Sequence, residues 1–193
     1  MSYPVYADIL RPASRPAQRL LDGALIVGFS VLVALSAQVA IPLPFTPVPL
    51  TLQTMVVLAT GALLGSKRAT ASILLYLAEG AAGLPVFSLG RGGIAHIAGP
   101  TGGYLVGFVV AAFLVGFLCE RGWDRKWLSA VAALFVGDVA LFACGVLWLG
   151  VLTGFSQALV LGVLPFAAGD VAKIVACSGL LPLGWKAFRR TVR

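Results

Sequence analysis

LSAVAALFVGDVALFACGVLWLG, residues 128–150, carries one charged side chain, Asp138, in an otherwise apolar run. A helix rises about 1.5 Å per residue, and the hydrocarbon core of a bilayer is crossed by about 20 apolar residues. This stretch therefore reads as a membrane span. It lacks the polar face that a surface helix of a soluble domain would show. Five further long apolar runs lie at about 21–41, 51–65, 69–83, 101–119 and 158–183. The rest of the composition agrees. Of 193 residues, 60% are hydrophobic and 11% charged, and the mean hydropathy is +1.00, far from the balance of an ordinary soluble domain. The expected fold is an all-α integral membrane protein, a six-helix transmembrane bundle forming one domain over residues 1–193.

The basic residues orient these spans. Arg11, Arg15 and Arg19 precede the first; Lys67 and Arg68 separate the second and third; Arg121, Arg125 and Lys126 separate the fourth and fifth; Lys186, Arg189, Arg190 and Arg193 follow the sixth. All twelve fall on one side, which the positive-inside rule makes the cytoplasm, with both termini there. The net charge of +7 is thus mainly topology and not a nucleic-acid footprint. The opening MSYPVYADILRPASRPAQR is followed by a full-length span and not by a short apolar region with a cleavage site. It is expected to be a cytoplasmic arm of about 20 residues.

Function classes narrow by the same reading. Cys119, Cys144 and Cys177 sit in or beside apolar runs without metal-ligand spacing, and His96 is the only histidine, so neither a metal site nor a disulfide framework is expected. His96 is assigned to a loop surface. GRGG at 90–93 lacks the lysine and helix context of a phosphate loop. No nucleophile and base stand together, so no enzyme and no cofactor is expected, and any energy source for transport lies in another chain.

Two basic residues escape the topology rule. Lys173 lies inside the sixth run, three positions after Asp170 and able to meet it on one helix face. Such a pair either locks helix packing or offers a cation and an acceptor to a polar solute, since ionisable groups at membrane depth cost about 2.5 to 3.5 kcal/mol and persist where something offsets them. Arg91 lies in the irregular GLPVFSLGRGGIAHIAGPTGG, residues 83–103, flanked by glycines that allow close approach of a ligand. Irregular backbone at membrane depth has to be buried in protein or face a watery cavity, and the second and third runs are short, as helices lining such a cavity often are. Glu79, Thr46, Gln53 and Tyr104 are further candidates. Glu79 either faces the cavity or lies at the interface, Thr46 and Gln53 either donate to a ligand or satisfy helix ends, and Tyr104 either walls the pocket or anchors the interface. The role of Asp138 stays open.

PFTPVPLTLQT (44–54), YLAEGAAGLPVF (76–87), GPTGGYLVGF (99–108) and DVAK (170–173) resemble, in order and spacing, the BioY family, the biotin-specific substrate-binding subunits of energy-coupling factor (ECF) transporters. The resemblance extends over about residues 20–185. Glu79 departs from it, standing where family members often have a neutral residue. It implies a biotin pocket opening outward, a lid made by the first long loop, and a lining that includes Asp170 and Lys173. It also implies a separate ECF coupling protein and ATPase as partners, in the cell membrane of a prokaryote. Biotin's carboxylate, ureido N–H groups and apolar bicycle suit Lys173 and Arg91, Asp170, and aliphatic walls respectively. The coupling protein is expected on a small-residue face of the first span, through Ala24 with Gly28 and Ser30 with Ala34, or else those residues pack inward. A different vitamin on the same scaffold and a purely structural membrane protein are the competing readings.

Overall fold

The computed structural model describes residues 3–191, with side chains to Lys186; Arg193 and the side chains of Arg189 and Arg190, used above for topology, lie outside the described residues. The chain runs α1 (Tyr6–Ile9), α2 (Arg15–Gln38), β1 (Ala40–Ile41), β2 (Leu50–Thr51), α3 (Gln53–Leu64), α4 (Ser66–Ala81), a 3-10 turn (Ser88–Gly90), α5 (Ile94–Ile97), α6 (Gly102–Cys119), a second 3-10 turn (Trp123–Arg125), α7 (Trp127–Thr153), α8 (Phe155–Gly162) and α9 (Leu164–Thr191). Four helices, α2, α6, α7 and α9, are long and apolar enough to cross a membrane. The second and third apolar runs form helices of 12 and 16 residues, shorter than the about 20 that an untilted span needs.

Close approach of α6 and α7 explains the glycines of the fourth run. A Cβ on Gly103 would stand 2.5 Å from the Cys144 carbonyl, and one on Gly107 would stand 2.7 Å from that of Leu141. Only glycine lets the backbones meet so closely, the packing that membrane helices rely on when no hydrophobic drive separates them from lipid. Gly65 joins α3 to α4 with φ +78°, a left-handed conformation that L side chains resist. There the Glu120 carboxylate accepts from the Ser66 N–H at 2.7 Å and from its hydroxyl, satisfying the start of α4.

The sixth apolar run, expected as one helix over 158–183, is two. Pro165 has no N–H and its ring conflicts with the carbonyl four residues back, so α8 ends at Gly162 and α9 begins at Leu164. The break frees carbonyls, which need partners in a low-dielectric interior. Thr46 Oγ1 donates to the Leu161 carbonyl at 2.7 Å, and the Tyr104 hydroxyl donates to that of Gly162 at 2.9 Å.

At one end of the bundle the amino-terminal arm is folded against the helices. Arg68 bridges Asp8 at 3.0 Å and Asp22 at 2.7 Å, Arg125 donates to the Pro4 carbonyl, and Tyr6 donates to the Leu181 carbonyl. Beneath it, fully buried Asp124 accepts from the Trp185 indole at 2.5 Å, with the Arg125 guanidinium 3.4 Å above that ring. At the other end the two short strands pair antiparallel, Ala40 opposite Thr51 and Ile41 opposite Leu50. They close a strap, residues 40–51, that lies beside the 83–101 loop over the helices.

The small residues of α2 divide. Gly28 and Ala24 are exposed, with nothing within 4 Å of a Cβ on Gly28, and Ala34 is half-buried. Ser30, expected on the same outward face, is instead fully buried and donates to Glu79 Oε2 at 2.7 Å. Two residues along a helix turn by about 200°, so Gly28 and Ser30 cannot share a face.

Candidate ligand-binding site

The strap, the 83–101 loop and residues of α3, α6, α7 and α9 line two adjoining, partly open chambers. Their walls share Pro49, Ser88, His96 and Thr101. The inner chamber, about 50 Å³, has Asp170, Lys173, Gln53 and Thr54 among its polar groups and Phe87, Tyr104, Phe108, Phe142 and Phe166 as aromatic walls. The outer vestibule, about 310 Å³, is lined by Thr46, Arg91, Leu89 and the prolines of the strap.

The polar floor is one connected network. The Lys173 ammonium donates to Asp170 Oδ1 at 2.8 Å, to Thr54 Oγ1 at 3.0 Å and to the Thr51 carbonyl at 2.8 Å. An ammonium has three N–H groups, so all of them are engaged. Thr54 passes the chain onward, donating to Asp170 Oδ1 at 2.7 Å. Asp170 is 3% exposed. Among the described residues its second oxygen, Oδ2, makes no hydrogen bond and is a free acceptor at the floor. Beside it, Gln53 donates to the Tyr76 hydroxyl at 2.8 Å, which orients the Gln53 amide.

Asp170, Lys173, Gln53 and Tyr104 are thus brought to the inner chamber and Thr46 and Arg91 to the vestibule. The hydroxyls of Thr46 and Tyr104 are committed to the helix break. Glu79 is not brought to either chamber. It lies three residues beyond Tyr76, on a face of α4 turned to α2, and its carboxylate takes the Ser30 hydroxyl. His96 corrects the loop-surface assignment. It is half-buried, lines both chambers, stacks on Phe87 at 5.1 Å and has Nε2 3.3 Å from Thr101 Oγ1. Asp138 is 8% exposed in α7; the charges that act on it are Asp170 and Lys173 across the helix contact, and its Oδ1 has no hydrogen bond among the described residues. Thr54, Thr51 and Phe87 escaped the sequence reading. For Thr54 a signal existed, since a Lys–Asp pair in an apolar helix leaves donors to be satisfied and the nearest polar motif was LTLQT.

A partly open chamber with a hydrogen-bonded floor inside a bundle of apolar helices is the kind of cavity in which an integral membrane protein can hold a small solute. The chain belongs to the BioY family, whose model matches residues 12–190. Among its relatives, a probable biotin transporter BioY of Pyrococcus horikoshii is 42% identical over 150 residues, covering 78% of this chain and 87% of that protein. The biotin transporter BioY of Rhizobium etli is 39% identical over 158 residues, covering 77% and 84%. The fold matches the crystal structure of the S-component for biotin from an ECF-type ABC transporter, with a TM-score of 0.77 at 28% identity, over 90% of this chain and 95% of that one.

Proposed function

We propose that this chain captures biotin from outside the cell and carries it across a prokaryotic cell membrane as the substrate-binding subunit of an ECF transporter, driven by a separate coupling protein and ATPase. Its relatives are named as biotin transporters and its fold matches a biotin S-component; both support the reading, and neither points to an enzyme. The six apolar runs are then six spans, α3 and α4 being short ones, with α3 lining the inner chamber through Gln53 and Thr54. Both termini are cytoplasmic, on the side of the basic clusters and the folded arm.

The observation that carries the ligand assignment is the saturated Lys173. With its three donors on Asp170, Thr54 and Thr51, the ammonium fixes the floor and polarises it, while Asp170 Oδ2 remains to accept from a ureido N–H. The aromatic walls receive the bicycle. The carboxylate then points outward, to the exposed Arg91 guanidinium, which makes no hydrogen bond among the described residues and can grip a carboxylate with two N–H groups. Entry of the bicycle from outside requires the strap to part from the inner chamber, which Val48, Pro49, Leu50 and Thr51 line. The Lys173–Thr51 bond ties the strap to α9 and is where such opening begins, which makes the strap the lid.

Competition binding tests this. Labelled biotin on the purified chain is displaced by unlabelled biotin and not by thiamine or riboflavin; displacement by either of those would move the chain to another solute, and absence of any saturable ligand would support a structural role.

A further inference from the structure

Among the described residues, His96 is the only titratable side chain in the walls of both chambers. Asp170 and Lys173 line the inner one alone and Arg91 the vestibule alone. A solute with its head on the inner floor and its tail in the vestibule passes this ring. The ring is held in place, stacked on Phe87 at 5.1 Å and 24°, with Nε2 3.3 Å from Thr101 Oγ1. Phe87 is itself buried, edge-on to Tyr76 and against Gly80. Nδ1 has no hydrogen-bond partner among the described residues. The charge that acts on the imidazole is that of Arg91, while Asp170 and Lys173, which line the inner chamber with it, are paired with each other at 2.8 Å.

We propose that His96 is a second contact for the solute's carboxylate, beside Arg91, and that its imidazole takes up a proton as the solute binds. This rests on the biotin reading above. The electrostatics give the sign. Burial, and after it the Arg91 charge, hold the imidazole below the usual histidine range in the protein alone, so near neutral pH it is uncharged. A carboxylate seated between Arg91 and His96 offsets the Arg91 charge and favours the imidazolium, raising its pKa in the complex. The complex then binds more protons than its separated parts, so affinity rises as pH falls through the window between the complex's pKa and the lower one of the free protein. Each unit of separation is worth about tenfold in affinity. The gain ends where the solute's own carboxylate becomes protonated, near about pH 4 to 5.

The chain has a single histidine, so its imidazole resonance can be titrated by NMR in detergent or nanodiscs without an assignment variant. The expected result is an upward shift of that pKa when biotin is added and no such shift with biotin amide, which lacks the carboxylate. Calorimetry at about pH 6 in buffers of different ionisation enthalpy should show net proton uptake with biotin in the wild type and none in His96→Gln. An imidazole pKa that biotin leaves unchanged or lowers overturns the proposal, as does the same shift with the amide. Failure of the biotin reading looks different: no saturable biotin binding at any pH, as against saturable binding with a silent imidazole.

Discussion

Lys173 makes three hydrogen bonds to three different groups on two segments, and this count governs what its replacement does. Lys173→Ala frees Asp170 and Thr54 from their shared donor and leaves a buried carboxylate without its counter-charge, so biotin affinity falls by at least the about 1 to 3 kcal/mol expected for an unsatisfied buried group, which is roughly 5- to 150-fold in Kd. Asp170→Ala falls by a similar factor because it removes the free acceptor. Lys173→Arg fails as well: a planar fork does not reproduce three donors diverging from one nitrogen. Equilibrium binding checks all three, and wild-type affinity in both alanine variants would remove the floor from the site. Arg91→Ala separates the ends of the ligand. It should weaken biotin by about tenfold or more while weakening biotin amide less, since the carboxylate is the group it meets; equal losses for both would place the carboxylate elsewhere. At this scale the sequence showed the charged pair, because two ions in an apolar helix stand out. It did not show that Thr54 and the Thr51 carbonyl complete the pair's bonding, because that depends on how the strap folds back over α9. Glu79 misled for the converse reason: an acid near the loop motifs looked like a lining residue, but its partner is a serine on α2, 49 positions away.

Helix direction and helix breaks settle which small residues are free to meet a partner. On α2, Gly28 has open space around it, so Gly28→Leu should leave expression and biotin binding in place while abolishing uptake and co-purification with the coupling subunit. Ser30→Leu, placed in a fully buried position, should lower both folded yield and binding. If Gly28→Leu loses biotin binding together with expression, that face packs inside the protein and the docking assignment fails. Gly80→Ala tests the loop side. Its Cβ would stand 2.0 Å from the Phe87 ring, and overpacking of a buried site costs about 1 to 3 kcal/mol; the measurable result is a lower melting temperature with weaker biotin binding, because Phe87 carries the stacked His96. The six apolar runs were legible as helices because length and hydropathy need no tertiary information. The division of α8 from α9 was signalled by Pro165, yet a run of apolar residues hides a helix break, and its consequence, that Thr46 and Tyr104 bond the freed carbonyls, is visible only in three dimensions.

Among the described residues, most of the basic side chains and the proposed site lie at opposite ends of the molecule. Arg68, Arg125, the folded arm and the buried Asp124–Trp185 contact lie at one end; the strap, the loop and the two chambers lie at the other. In the proposed orientation the solute is met outside and the energy-coupling contact is made along α2, whose exposed face runs between the two. Cysteine placed at exposed position Leu89 should therefore react with an impermeant thiol reagent added outside intact cells, and cysteine at exposed Lys67 should not; the reverse pattern inverts the topology. The account as a whole rests on one claim, that the chamber floored by Asp170 and Lys173 holds biotin. Equilibrium dialysis of labelled biotin against the purified, monodisperse chain tests that most directly. The prediction is saturable binding at one site per chain, lost or strongly weakened in Asp170→Ala; a folded protein with no saturable biotin binding, or with binding indifferent to Asp170, would contradict it.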